Sequence, residues 1–128
     1  MGGAAAMNIH GKNNYAVGSF GEGIRRFSLL VADGTVLECS RTQNADVFHA
    51  AISGFGMLGC FLDLDIELKR VHSGRLRVGA IVCKDLADNL ETIERLQGEA
   101  DYLVSWIDLH AKGAALGRGV LHRADQLK

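Results

Sequence analysis

The chain has no proline in its 128 residues, and aromatic residues make up only 6% of it. Without proline, no turn is built on a fixed φ, so reversals of direction fall to glycine and to short polar residues. There are three cysteines, Cys39, Cys60 and Cys83, far apart and with no CxxC pair. That count and spacing exclude a disulfide framework and a structural zinc site, and reduced thiols are expected. No apolar run is long enough to span a bilayer, and the Gly/Ala start has neither the charged flank nor the long apolar stretch of a signal peptide. A soluble, cytoplasmic protein is the expectation. Neither sign of charge dominates, with 14 Lys+Arg against 15 Asp+Glu. The charges are scattered, which argues against nucleic-acid and membrane partners and favours a small molecule or another protein.

What is abundant is glycine, with 16 residues concentrated between Gly2 and Gly23 and between Gly54 and Gly59. Clusters of this kind beside apolar segments mark sharp turns or places where a ligand comes close to the backbone. Neither cluster is a P-loop. Gly54-Phe-Gly-Met-Leu-Gly59 spells GxGxxG, but a strand-like segment follows it, so the helix that would hold a phosphate is missing. A tight helix-to-strand turn and a cofactor-contacting turn both remain open for it. His10, between Ile9 and Gly11, is either structural or functional, and its neighbours Lys12, Asn13 and Asn14 could offer several donors to one ligand. His49, His72, His110 and His122 form no ligand pattern, and no metal site is expected.

Local patterning predicts an α+β fold, mostly antiparallel sheet with flanking helices. A short helix is expected from Gly3 towards Ile9, followed by a polar loop over Lys12 to Gly23. Strands Phe27 to Ala32 and Thr35 to Cys39 flank an Asp33-Gly34 hairpin turn. Thr42 or Asn44 caps a helix running to about Ile52, with Val47, Phe48, Ala51 and Ile52 on one face. Phe61 to Leu68 alternates as a strand, with Phe61, Leu62, Leu64, Ile66 and Leu68 assigned inward. After a change of composition near Val71 to Gly74 come a strand from Arg75 to Cys83 and a helix capped by Asp85. In that helix Leu86, Leu90, Ile93 and Leu96 or Gln97 share a face, and Gly98 closes it. Two more strands follow, Tyr102 to Leu109 and Leu116 to His122, with Trp106 read as core and Asp108 as edge. Lys112, Arg118 and Arg123 could meet an anion, with a solvated surface the preferred reading.

The order of the motifs is more specific than any one of them. GGAAAMNIHGKN, GSFG, a strand ending ADG, NADVF, GFGMLG and a strand ending DIEL together resemble the FAD-binding domain of the vanillyl-alcohol-oxidase (PCMH) type of flavoprotein. The resemblance is strongest to bacterial decaprenylphosphoryl-ribose-oxidase-like proteins. The tail DYLVSWIDLHAKGAALGRGVL is similar to the start of their substrate domain, so the likeness covers essentially the whole chain. It implies that residues 1–70 are the C-terminal part of the FAD-binding domain and that residues 71–128 begin the substrate, or cap, domain.

The same resemblance implies that Gly3, Ala6, Met7, Ile9, His10 and Gly11 lie against a noncovalent flavin. Gly56, Gly59 and Phe61 would meet it from the opposite side. The implied reaction is hydride transfer from an alcohol, polyol or sugar carbon to FAD, with His10 and Lys12 as candidate catalytic residues. Relatives of this type carry an earlier pyrophosphate-binding subdomain and a longer substrate domain, so the chain is expected to be a truncated fragment. Activity of the isolated chain is correspondingly in question. An inactive, self-associating protein, or one that binds another small ligand in the vacated groove, is the alternative. In either case exposed apolar surface predicts a homo-oligomer, most simply a two-fold dimer, with a further polypeptide supplying missing parts as a second option.

Overall fold

A computed structural model describes residues 1–127. The chain divides into two compact units, Met1–Lys69 and the segment from Arg70 onward. Each is α+β and is built on a three-stranded antiparallel sheet.

The first unit runs α1 (Gly2–Ala6), α2 (Asn14–Val17), a 3₁₀ turn (Phe20–Gly23), β1 (Ile24–Leu30), β2 (Val36–Ser40), α3 (Ala45–Ala51) and β3 (Cys60–Ile66). The expected polar loop over Lys12 to Gly23 therefore contains two short helical turns. β1 is central in the order β2-β1-β3. The β1–β2 hairpin turns where Asp33-Gly34 predicts it: Gly34 has φ +87°, and the Thr35 amide donates to the Asp33 carboxylate at 2.9 Å. Hydrogen bonding to that amide holds the Asp33 carboxyl below its ordinary pKa.

One face of the sheet carries the core. Ile24, Phe27, Leu29 and Cys39 are buried with Ala5 of α1 and with Phe48 and Ala51 of α3. Phe27 stacks on Phe48 at 5.2 Å and meets Phe61 edge-on at 4.8 Å. The other face is polar. Arg26 reaches Glu38, Asp63 and Asp65, and the Ser28 hydroxyl lies 2.6 Å from Glu38 and 2.7 Å from Asp63. These exposed ion pairs keep the face wet and contribute little to stability. Two residues of the β3 alternation depart from expectation. The register pairs Ser28 with Asp63 and Leu29 with Phe61, so Leu62 falls in a bulge and is 54% exposed. Leu68 lies beyond the end of the strand and is 76% exposed. Asn44 occupies the N-cap position of α3, but its side chain does not cap the helix. It adopts a left-handed φ of 47° and donates instead to the Glu38 carbonyl at 2.8 Å.

The second unit runs β4 (Leu76–Cys83), α4 (Leu86–Leu96), β5 (Tyr102–Ile107), a 3₁₀ turn (Gly113–Ala115) and β6 (Gly119–Gln126), with sheet order β4-β6-β5. The Asp85 carboxylate accepts from the Asp88 amide at 2.9 Å and caps α4, as its sequence position predicts. The buried face of α4 differs from the predicted apolar one. It consists of Asn89, Thr92 and Leu96, whereas Leu86 and Leu90 are 38% and 53% exposed. The cause is polar. The fully buried Asn89 donates to the Gly117 carbonyl at 3.0 Å and accepts from the Ser105 hydroxyl, which turns the helix so that these groups face inward. Gln97 is the C-cap, and Gly98 follows it without a left-handed φ. Trp106 is 71% exposed rather than core. It stands beside Val120 and Val82 in register, on the sheet face opposite to buried Leu103, Leu121 and Cys83.

Candidate functional site

The short helix α1 joins two glycines, poor helix formers, to three alanines, the best ones, and closes with a Schellman-type end. The Asn8 amide donates to the Ala5 carbonyl at 3.0 Å, and the Ile9 amide donates to the Ala4 carbonyl at 3.2 Å. Asn8 has a left-handed φ of 44°, which swings Ile9, His10 and Gly11 away from the helix axis. These three residues form one wall of a cleft of about 540 Å³ within the first unit. Phe20, Glu22 and Gly23 form another wall, and Ile66 to Lys69, following β3, close it. Apolar Ile9, Val17, Phe20 and Leu68 supply much of its surface, with His10, Asn13 and Ser19 as polar groups and Glu22, Glu67 and Lys69 as charged ones. Both carboxylates at the rim have arginine partners: Glu67 pairs with Arg25, and Glu22 lies 3.4 Å from Arg41. The cleft therefore carries no strong anionic field.

The remaining residues implied by the resemblance lie elsewhere in this unit. Gly3, Ala6 and Met7 belong to α1 and its end, with Ala6 buried and Met7 52% exposed. Gly56 and Gly59 lie in the turn joining α3 to β3. That turn is fastened to α1, because the Ser53 amide donates to Ala5 at 3.2 Å and the Phe55 amide donates to Ala6 at 2.9 Å. Met7, Phe55, Met57 and Leu58 make an exposed apolar margin along the turn. The two glycines differ in their surroundings. A Cβ at Gly56 would meet nothing within 4 Å, whereas one at Gly59 would collide with the Leu30 carbonyl, so packing of the chain itself explains Gly59. A Cβ at Gly3 would also meet nothing within 4 Å. Phe61 packs against Phe27 in the core cluster, and Lys12 is exposed and does not line the cleft.

Sequence reasoning does not single out Phe20 or Leu68 as cleft-lining, or Asn8 as the residue that ties two of the walls. The GSFG motif marks Phe20, but only the fold brings it opposite His10. In the second unit, Asp108 organises the loop between β5 and β6. Its carboxylate accepts from the His110 amide at 3.0 Å, from the Ala111 amide at 3.1 Å and from Arg118 at 3.2 Å. The backbone donors, with the guanidinium second, hold its pKa below the ordinary carboxylate value. Among the described residues, no group of three or more His, Cys, Asp or Glu could hold a metal, and no helix is long and apolar enough to cross a membrane.

No protein-family model matches the chain. It is 34% identical over 98% of its length to an uncharacterized protein in the mprA 5′ region of Streptomyces coelicolor, of which it spans 34%. It is 31% identical over its whole length to decaprenylphosphoryl-β-D-ribose oxidase of Mycolicibacterium smegmatis, of which it spans 28%. Half of the chain, 51%, is 39% identical to L-gulonolactone oxidase of Mus musculus, covering 15% of that protein. The chain thus spans about a third or less of the relatives it matches. It is similar along its full length to one FAD-linked oxidase of the vanillyl-alcohol-oxidase type and over half of its length to another.

Proposed function

We propose that the Met1–Lys69 unit supplies one side of the isoalloxazine site of an FAD-dependent oxidoreductase that oxidises an alcohol or sugar carbon. On this reading residues 1–70 are the C-terminal part of the FAD-binding domain, and the remainder begins the substrate domain. The observation that carries the reading is the convergence of Ile9, His10 and Gly11, the centre of GGAAAMNIHGKN, on a cleft that combines apolar walls with polar groups at its edge. Such a lining suits a flat aromatic ring with a polar edge. Two further features support the fit. The clear space over Gly3 and over Gly56 leaves backbone accessible to a ligand, and the rim carboxylates, already paired, would not repel a cofactor that becomes anionic on reduction.

When bound, FAD supplies the hydride acceptor. The chain's own residues do the rest: Ile9, Val17 and Phe20 exclude water, and Gly11 lets the main chain approach the ring. The His10 imidazole would meet the substrate hydroxyl, orienting it or stabilising the charge that develops there. Lys12, exposed beside this wall, supports that charge from outside the cleft. The test is a titration of the chain with FAD followed by flavin fluorescence. Saturable binding that His10→Ala weakens supports the reading, and absence of binding opposes it.

A second reading concerns association. On the sheet of the second unit, Val78, Val82 and Trp106 are 61%, 80% and 71% exposed on the face away from the core. Contiguous apolar surface of this kind favours a homodimer in solution. Light scattering over a concentration series checks it, and a mass that stays monomeric throughout opposes it.

A further inference from the structure

Two hydrogen bonds join the walls of the cleft at its base. The Phe20 amide donates to the Ile9 carbonyl at 2.7 Å, and the Gly21 amide donates to Asn8 Oδ1 at 2.8 Å. The first is backbone to backbone and is available to any sequence. The second depends on a side chain at a position where the backbone favours none. Asn8 is the residue just past the α1 cap, with φ 44°, and glycine is the usual residue there. In a chain with 16 glycines, asparagine at this site calls for a specific interaction, and the bond to Gly21 is that interaction. Gly21 is matched to it. It is buried, and a Cβ on it would lie 2.9 Å from Asn8 Oδ1 and 2.6 Å from Ile52 Cγ2, so any side chain there would break the contact.

We infer that Asn8 is a positioning residue for the cofactor cleft, one that fixes the separation of the His10 wall from the Phe20 wall through its bond to the Gly21 amide. The inference rests on the flavin reading above. Asn8 itself does not line the cleft and touches no reacting atom. Its effect passes through Ile9 and His10 on one side and through Phe20 and Glu22 on the other. Without it, the Phe20–Ile9 backbone bond still links the walls, but the side-chain tie that sets their separation is lost.

Two substitutions separate the roles of Asn8. Asn8→Gly keeps the left-handed cap of α1 and removes the side-chain acceptor. Asn8→Asp keeps an acceptor oxygen in the same place. The full chain and both variants are titrated with FAD by fluorescence, and hydrogen exchange of the Gly21 amide is read by NMR without flavin. The expected result for Asn8→Gly is a modestly lowered melting temperature with the fold retained, faster Gly21 exchange and an FAD dissociation constant raised about five- to tenfold, the scale of one lost hydrogen bond. Asn8→Asp restores slow exchange and tight binding. An Asn8→Gly chain that binds FAD as the parent does overturns the positioning role, and so does an Asn8→Asp chain that binds as poorly as Asn8→Gly. A parent chain that binds no FAD overturns the flavin reading itself, an outcome read before either variant is made, and the positioning role falls with it.

Discussion

Asn89 is the polar residue on which the packing of the second unit depends most, and its removal gives a sharp test of the fold. It is fully buried in α4, donates to the Gly117 carbonyl at 3.0 Å and accepts from the Ser105 hydroxyl. Asn89→Ala deletes both bonds and leaves the buried Gly117 carbonyl and the partly buried Ser105 hydroxyl without these partners. Each bond contributes roughly 1 kcal/mol net, and an unsatisfied buried group costs about 1–3 kcal/mol, so the total loss is about 2–4 kcal/mol. In a unit of this size that lowers its melting temperature by on the order of 10 °C or more. Ser105→Ala removes one bond only and is expected to cost about half as much. The assay is urea unfolding followed through the NMR amide signals of β5 and β6, because those strands flank the loop that Asn89 holds. If Asn89→Ala unfolds within about 0.5 kcal/mol of the parent, or if the two single losses simply add in the double variant, the shared network does not exist as described.

Other outcomes follow from individual residues. Gly3 is a helical position with clear space over it, so Gly3→Ala is expected to stabilise the unit by about 0.5–1 kcal/mol in thermal unfolding while weakening FAD binding in a fluorescence titration. Loss of both properties together would mean that the alanine disturbs the fold. The depressed Asp108 carboxyl contributes stability that is complete above about pH 4, the unfolded value, and is lost as pH falls through the lower folded value. Exchange of the His110 and Ala111 amides, corrected for its intrinsic pH dependence, should therefore quicken in acid in the parent and show a flatter acid profile in Asp108→Asn. Matching profiles would refute the assignment. Cys60 is exposed, while Cys39 and Cys83 are buried, and burial raises the Cys39 thiol. A thiol reagent should thus label one cysteine in the native protein and three after denaturation, and rapid native labelling of Cys39 would contradict the packing of β2.

Much of the framework was legible from local chemistry. The Asp33-Gly34 reversal, the Asp85 cap and the β4-α4-β5-β6 order are each written in a few adjacent residues. The errors came where a polar side chain works over a distance. Leu86 and Leu90 read as the inner face of α4 because leucine is usually buried, but Asn89 brings two partners from β5 and the loop before β6, which hydropathy does not register. Alternation places Leu62 inward, and one unpaired residue in the β3 register moves it out. Trp106 lies on an apolar strand and reads as core, whereas its strand parity puts it on the open face. In the candidate site, the resemblance marked Ile9, His10 and Gly11, and the fold gathers them. It could not supply Phe20 and Leu68, which reach the cleft only through the antiparallel pairing that sets β3 beside β1 and its preceding turn.

The central claim is that the glycine-rich start of this chain folds into a wall for flavin. The most direct test is the visible absorption spectrum of the purified protein after incubation with FAD and removal of free cofactor by gel filtration. The account predicts a flavin band that elutes with the protein, and a band that is weakened when His10 or Asn8 is replaced. A colourless protein fraction, with all the flavin in the small-molecule volume, would contradict it.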